Sequence, residues 1–540
     1  MLAFFNKQSK SIIGAATIVG VLSFASRIVG LVRDRILAGE FGAGEVLDAY
    51  YAAFKVPDFM FSLIVVGSLS ASFIPLFTKY YTRKISRKKA WEFTNRILHL
   101  VGLAIVVVSV ALGFGADYVV TLIAPGFSVE QQAFVVELFR IMLGAQVILA
   151  ISVVFGSVLQ SLKRFFIYAL SPILYNVGII IGALFLVPII GPIGLAWGVV
   201  LGALMHLIVQ TIGVVHAGYR YKFSWSLRDK DTAELVRLTG PRMLGIAINQ
   251  VMFVILTIIA TTLATGSVTI FQFAYNIQFF PVGIIGVSFA IAAFPTFSET
   301  VERKKMKEFV EMFSSTVRNI LFLLVPLMIL FLVMRAQIVR VVVGAGAFDW
   351  EATILTADTL AFFTLTFIPQ AFVFLLARAF FALHDTVTPM TAGIVATIAG
   401  LISALWLTEH FGVIGLGMGY SIAAIINMVL LWVPLRQRIG SLDGERILQT
   451  VFKITIAGML CMLVMQLLKP VVVNFITLDT FAGVFLQGFI AGFAGWIVYV
   501  AVAALLKTQE LFSVIAGLRK KFFKSYKPEE SVSVEGQVSS

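Results

Sequence analysis

The chain has 540 residues, 59% of them hydrophobic and only 13% charged, with a formal net charge of +13 and a mean hydropathy of +0.98. Such a balance excludes a soluble globular protein and gives a polytopic membrane protein, in which the basic excess reports topology rather than nucleic-acid binding. The single cysteine, Cys461, lies in an apolar run, so neither a disulfide framework nor a thiol metal cluster is available.

The apolar runs are continuous and about 20 residues or longer, the length a helix needs to cross a bilayer, and they lack the alternation of barrel strands. Read with breaks at charges, Gly and Pro, they place helices at 12–37, 48–80, 92–116, 131–160, 166–189, 193–217, 237–264, 268–298, 309–334, 353–381, 388–408, 413–436, 450–472 and 480–506. The expected fold is therefore all-α, with fourteen transmembrane helices. No small-residue cleavage site follows Lys7 and Lys10 before Arg27, so the first run reads as a retained helix. Basic residues fall on alternate connections, from Lys79 to Lys89, at Lys163 and Arg164, from Arg220 to Lys230, from Arg303 to Lys307 and from Arg436 to Arg446, and the intervening connections are short or acidic. The positive-inside rule then puts both termini in the cytoplasm. The polar tail from Arg519 reads as disordered.

The chain also resembles itself at a spacing of 215–221 residues: SRIVG at Ser26 pairs with PRMLG at Pro241, FIPLF at Phe73 with AFPTF at Ala293, SPILYN at Ser171 with TPMTAG at Thr388, and GPIGLAWG at Gly191 with GVIGLGMG at Gly412. Four anchors in one order indicate a duplicated six-helix unit. The expected organisation is a lobe over 1–217, a second over 218–436, two further helices over 437–506 and a basic cytoplasmic tail over 507–540. Because six is even, both copies insert in one orientation, related by an axis along the membrane normal.

The first hairpin, residues 26–58, concentrates Arg27, Arg33, Asp34, Arg35, Asp48 and Lys55 in this sparsely charged chain. Ionisable groups at membrane depth are costly, and they face a water-filled cavity, a partner or a ligand. Helical spacing sets Arg27, Leu31 and Asp34 on one face and turns Arg33 elsewhere. An arginine fork suits carboxylate or phosphate, and a diphosphate needs several such donors converging. An equally weighted reading has Arg27 snorkelling to the outer interface or ion-paired to Asp34 or Asp48. Arg140, Arg242 and Arg378 lie near helix ends, where interfacial anchoring competes with ligand contact, although Arg242 occupies the repeat position of Arg27. Prolines 57, 75, 281 and 295 bracket the second and eighth helices and predict bends there. His99, His206, His216, His384 and His410 show no metal-ligand spacing, and no catalytic or cofactor motif appears.

The run SRIVGLVRDRILAGEFGAGEVLDAYYAAFKVPD, then SLSASFIP, APGF at Ala124, LFRI around Arg140, LTGPRMLG at Leu238 and LARAFFALHDTVTP ending at Pro389 resemble the MurJ (MviN) lipid II flippases of the MOP superfamily. The resemblance covers the first twelve helices. It implies two lobes forming a V, a central cationic cavity, and a groove beside the last two helices for a polyprenyl tail. It also implies alternating-access movement of an undecaprenyl-diphosphate-linked peptidoglycan precursor to the outer leaflet of the cytoplasmic membrane, by a monomer without cofactor whose partners are this glycolipid and membrane lipids. Arg27, Arg33, Asp34, Asp48, Lys55 and Arg140 match charged family positions, with Arg27 as a cavity arginine for the diphosphate. The chain departs from the family pattern at Phe61, Ser62, Val65, Val66 and Gly67, where the family has Arg-Arg and then Ala-Glu-Gly. It departs again at Tyr275, Asn276 and Phe279, where the family has Asp-Arg and a Glu. Two cavity arginines are thus absent, and Arg242 is expected to substitute for one. The rival readings are another MOP carrier, such as an oligosaccharide-lipid flippase or a drug antiporter, a membrane glycosyltransferase, and a transport-dead scaffold. An antiporter wants a cavity acid and a glycosyltransferase a large outer loop with carboxylates, neither of which the sequence offers plainly.

Overall fold

The computed structural model describes residues 12–66, 73–82, 87–224, 247 and 250–523, and in these every regular element is a helix. In chain order they are α1 (Ile12–Phe41), α2 (Glu45–Phe61), α3 (Ile74–Thr82), α4 (Arg87–Phe114), α5 (Ala116–Ile123), α6 (Val129–Ser161), α7 (Phe165–Ile190), α8 (Gly194–Val215), α9 (Gln250–Thr261) and α10 (Ser267–Glu302). They continue with α11 (Met306–Val333), α12 (Arg335–Val342), α13 (Trp350–Thr364), α14 (Phe367–Ala382), α15 (Val387–Phe411), α16 (Val413–Ile439), α17 (Gly444–Val473), α18 (Phe481–Leu505) and α19 (Gln509–Phe523). Among the described residues ten are long and apolar enough to span a bilayer, or eleven if α13 and α14, bent by 43° to one another, count as one. The sequence reading had 353–381 as one continuous helix; instead it breaks at Leu365 and Thr366, between the end of α13 and the start of α14.

The proline-bracketed helices are irregular in matching places. A π turn at Ser62–Val66 follows Pro57, and another at Val282–Gly286 follows Pro281. A proline lacks the N–H that an α-helix needs and crowds the preceding turn, so one extra residue is accommodated just beyond it. The two turns lie one repeat length apart.

The Gly-rich repeat anchor has a packing cause. A Cβ on Gly198 would lie 2.7 Å from the Cα of Gly182, and one on Gly419 would lie 2.7 Å from the Cα of Ala404. Helices α7 and α8, and likewise α15 and α16, therefore cross backbone to backbone, as small residues allow where lipid supplies no hydrophobic drive.

At the Phe41 end of α1, parts distant in sequence close on one another. Gly39 O accepts from the Ala347 N–H at 2.8 Å, and Gly346, in the left-handed region at φ +52°, has no room for a side chain because a Cβ would sit 2.2 Å from Gly39 O. The larger apolar core accordingly joins Leu37, Leu47 and Phe139 with Leu256, Phe273, Val343 and Phe363. A smaller core gathers Phe297, Phe313, Leu375 and Leu435 with Cys461 and Tyr499, and Cys461 is buried within it.

Candidate functional site

Two adjoining cavities, of about 560 and 330 Å³, lie between the first-half helices α1, α2, α6 and α7 and the second-half helices α9, α10, α14, α15 and α16. Lys55, Asp58, Phe61 and Gln272 line both. Helix α1 contributes Arg33 to the smaller cavity; Arg27, which lines neither, is 14 residues from Phe41, roughly 20 Å at 1.5 Å per residue. That distance rules out snorkelling to the Phe41 end. Its guanidinium instead lies 5.5 Å from the Phe279 ring centroid and against Gly283, where a Cβ would come within 2.7 Å of Nη2.

Arg33 does not turn away from Asp34. The long side chain wraps back so that Nε and Nη2 donate to Asp34 Oδ1 at 3.0 and 2.7 Å, while Nη1 donates to Asn176 Oδ1 at 2.9 Å. The chain of bonds then crosses to α10. Asp34 Oδ2 accepts from Asn276 Nδ2 at 2.9 Å, Asn276 Oδ1 from Gln272 Nε2 at 2.8 Å, and Gln272 Oε1 from Lys55 Nζ at 2.6 Å. Lys55 and Gln272 are 217 residues apart, within the repeat spacing, so α2 and α10 meet as equivalent elements. Asp58 is held by Gln146 Nε2 at 3.0 Å.

The remaining expected residues are placed elsewhere. Asp48 is buried, 1% exposed, and spends its carboxylate on the start of α10: Oδ2 accepts from the Gly266 N–H at 2.6 Å, and Oδ1 from the Thr269 N–H at 2.8 Å and its hydroxyl at 2.7 Å. It is an N-terminal cap supplied across 218–221 residues rather than a cavity group. Arg140 pairs with Asp117 at 2.8 Å and donates to Gly113 O; the arginine is half exposed at the α5–α6 edge, away from both cavities. Arg242 lies outside the described residues. Arg378 sits over the Phe294 ring at 5.3 Å.

Sequence reasoning passed over Asp58, Gln146, Asn176 and Gln272. Asp58 follows Lys55 by three positions, one helical face, and that spacing was legible. The carboxamides carry no sequence signal of their own. Where the resemblance expects arginines, Phe61 lines both cavities and Asn276 bonds Asp34. The described site thus holds three cations, Arg27, Arg33 and Lys55, against two carboxylates, Asp34 and Asp58, and is modestly positive.

The family model described as "Lipid II flippase MurJ" matches residues 37–486. The chain belongs to the MurJ family. A "Probable lipid II flippase MurJ" from Buchnera aphidicola subsp. Baizongia pistaciae is 25% identical over 84% of this chain and 90% of that protein, and one from Vibrio cholerae is 25% identical over 78% and 83%. A solved "Lipid II flippase MurJ, inward closed conformation" superimposes with a TM-score of 0.74 at 22% identity, covering 91% of this chain and 98% of that one. An inward-facing multidrug resistance MATE family transporter of the MOP superfamily gives 0.64 at 13% identity over 79% and 99%. The MurJ family consists of lipid II flippases, transporters rather than enzymes, and with its apolar helices the chain is an integral protein of the inner membrane.

Proposed function

We propose that this chain moves a polyprenyl-diphosphate-linked peptidoglycan precursor from the inner to the outer leaflet by alternating access, as a monomer. Residues 1–217 and 218–436 form two six-helix lobes, 437–506 add two helices, and 507–540 form a cytoplasmic tail, fourteen spans with both termini cytoplasmic. In that orientation the Phe41 end of α1 faces outward, and the bonds of Asp48 to Gly266 and Thr269 seal it.

The observation that carries this reading is that Arg33 and Lys55 line cavities bounded by both halves, while Arg27 lies over Phe279, which lines the larger one. A diphosphate offers the acceptors that Arg33 now finds in Asp34 and Asn176. Drawing Arg33 to the ligand takes it from Asp34 and from Asn176, and so breaks the Arg33–Asn176 link between α1 and α7. The ligand thereby binds the two states differently, as any ligand-driven change requires. Arg242 adds positive charge to compensate for the family arginines missing at Phe61 and Asn276. Intact transport in Arg242→Ala alongside its loss in Arg27→Ala would refute that compensation.

The test is leaflet-resolved labelling of the lipid-linked precursor in cells depleted of their own flippase and supplied with this chain. The expected result is restored growth and outer-leaflet precursor, both lost with Arg27→Ala. Failure to restore growth despite normal membrane expression overturns the reading and favours a scaffold.

A further inference from the structure

The halves touch through residues one repeat apart. Asp48 of α2 meets Thr269 of α10 across 221 positions, and farther along the same helices Lys55 meets Gln272 across 217. Equivalent residues make contact where a pseudo-two-fold axis passes between α2 and α10. An axis along the membrane normal runs on to the other end of the molecule, so closing that end brings equivalent residues together there as well.

The repeat holds at that end in backbone detail. The turn from α6 to α7 and the turn from α14 to α15 put Lys163 and His384 in the left-handed region, at φ +58° and +59°. In the first turn the Lys163 N–H donates to Gln160 O and the Arg164 N–H to Leu159 O; in the second the His384 N–H donates to Phe381 O and the Asp385 N–H to Phe380 O. On the central helices Pro75 of α3 answers to Pro295 of α10. The same offset makes Lys79, in the last turn of α3, the equivalent of Glu299, in the last turn of α10.

These two charges are opposite, which topology alone does not explain. The positive-inside rule accounts for a cation at either place but not for a carboxylate at the repeat position of one. Lys79 is exposed and has no ion-pair or hydrogen-bond partner among the described residues. Glu299 holds Arg303 at 2.9 Å on its own helix, and both side chains are more than half exposed. Such a surface pair contributes little, so Glu299 can leave it at small cost. Glu302 is likewise paired within its own half, to His384.

We infer that Lys79 and Glu299 form an ion pair between the two halves when the Asp48 end is open, holding the other end shut. This rests on the alternating-access reading and gives the second state of that cycle its own fastening. The two fastenings differ in kind: Asp48 makes buried bonds to backbone and hydroxyl, whereas an exposed ion pair is weak and is screened by salt.

The test uses the full chain in lipid nanodiscs, with Cys461→Ala and spin labels at Lys163 and His384, both exposed. Asp48→Ala, which frees the first end, is expected to give these labels a short separation. In that background Lys79→Glu or Glu299→Lys lowers the ratio of short to long separations about fivefold, equivalent to about 1 kcal/mol. The exchange Lys79→Glu/Glu299→Lys restores the ratio, which also shows that the reversed side chains do not prevent folding. Single reversals without effect, or an exchange that fails to restore the ratio, overturn the pair. Labels as far apart in Asp48→Ala as in the wild type overturn the alternating-access reading itself, and the pair with it.

Discussion

The bond set of Asp48 gives the sharpest prediction, because it joins two halves of the chain only while the Phe41 end is shut. Asp48→Ala removes three acceptor contacts, to Gly266 N, Thr269 N and Thr269 Oγ1, at a residue 1% exposed. Loss of a helix cap costs about 0.5–2 kcal/mol, and each buried N–H left unpaired costs about 1–3 kcal/mol. With both backbone donors stranded, about 4 kcal/mol is a central figure, or roughly a thousandfold in an equilibrium constant. In an open state water reaches both donors, so nearly the whole cost falls on the shut state. Spin labels at Glu130 and Glu351, both exposed near this end, introduced with Cys461→Ala, read the separation by pulsed electron resonance. The wild-type pair is expected to give one short distance and Asp48→Ala a dominant longer one, with Asp48→Asn, which keeps one acceptor, between them. If Asp48→Ala keeps the short distance and the thermal midpoint of the wild type, the latch argument is wrong.

Gly283→Ala places a methyl where the Arg27 guanidinium now rests; the displaced atoms are the tip of a flexible side chain, so the protein should fold with an unchanged thermal midpoint yet flip lipid more slowly. An unchanged flipping rate would show that the position of Arg27 is not critical. Arg318 and Glu510 form a pair only 13% and 4% exposed that fastens α19 to α11, and breaking such a buried pair costs about 3–5 kcal/mol. Arg318→Ala should therefore release amide protection across 509–516 in hydrogen exchange, and retained protection would count against the anchor. Asp385 caps α15: burial alone would raise its carboxyl, but the Thr388 N–H and hydroxyl, the Arg438 charge and the Val387 N–H together hold it below its ordinary value. Its contribution is complete above the ordinary carboxylate pKa, about 3.9, and is lost as pH falls through the lowered folded value. Arg438→Ala should move that acid loss to higher pH in unfolding scans between about pH 2 and 5, and coincident acid profiles would remove Arg438 from the account.

Hydropathy and charge by themselves determined that the chain is helical and spans a membrane many times, and four short motifs that recur in one order at 215–221 residues gave the expectation of a repeat. These are properties of runs and spacings along one strand of sequence, and helical periodicity converts them into faces and lengths without reference to any partner. The same local rules exposed the charged first hairpin and the proline-bracketed helices whose π turns recur one repeat apart. Only the tertiary structure decided how those charges are used. Asp48 and Asp34 look alike in sequence, yet one caps α10 while the other joins Arg33 to Asn276. Arg27 and Arg140 both read as candidate cations, yet one reaches mid-span beside Phe279 and the other pairs with Asp117 at the edge. The energy of a charge inside a membrane depends on the hydrogen-bond partner within a few ångströms, and here that partner often comes from more than 200 residues away. Its identity follows from how α1 and α2 cross α10, and that crossing is set by packing between halves rather than by any single segment.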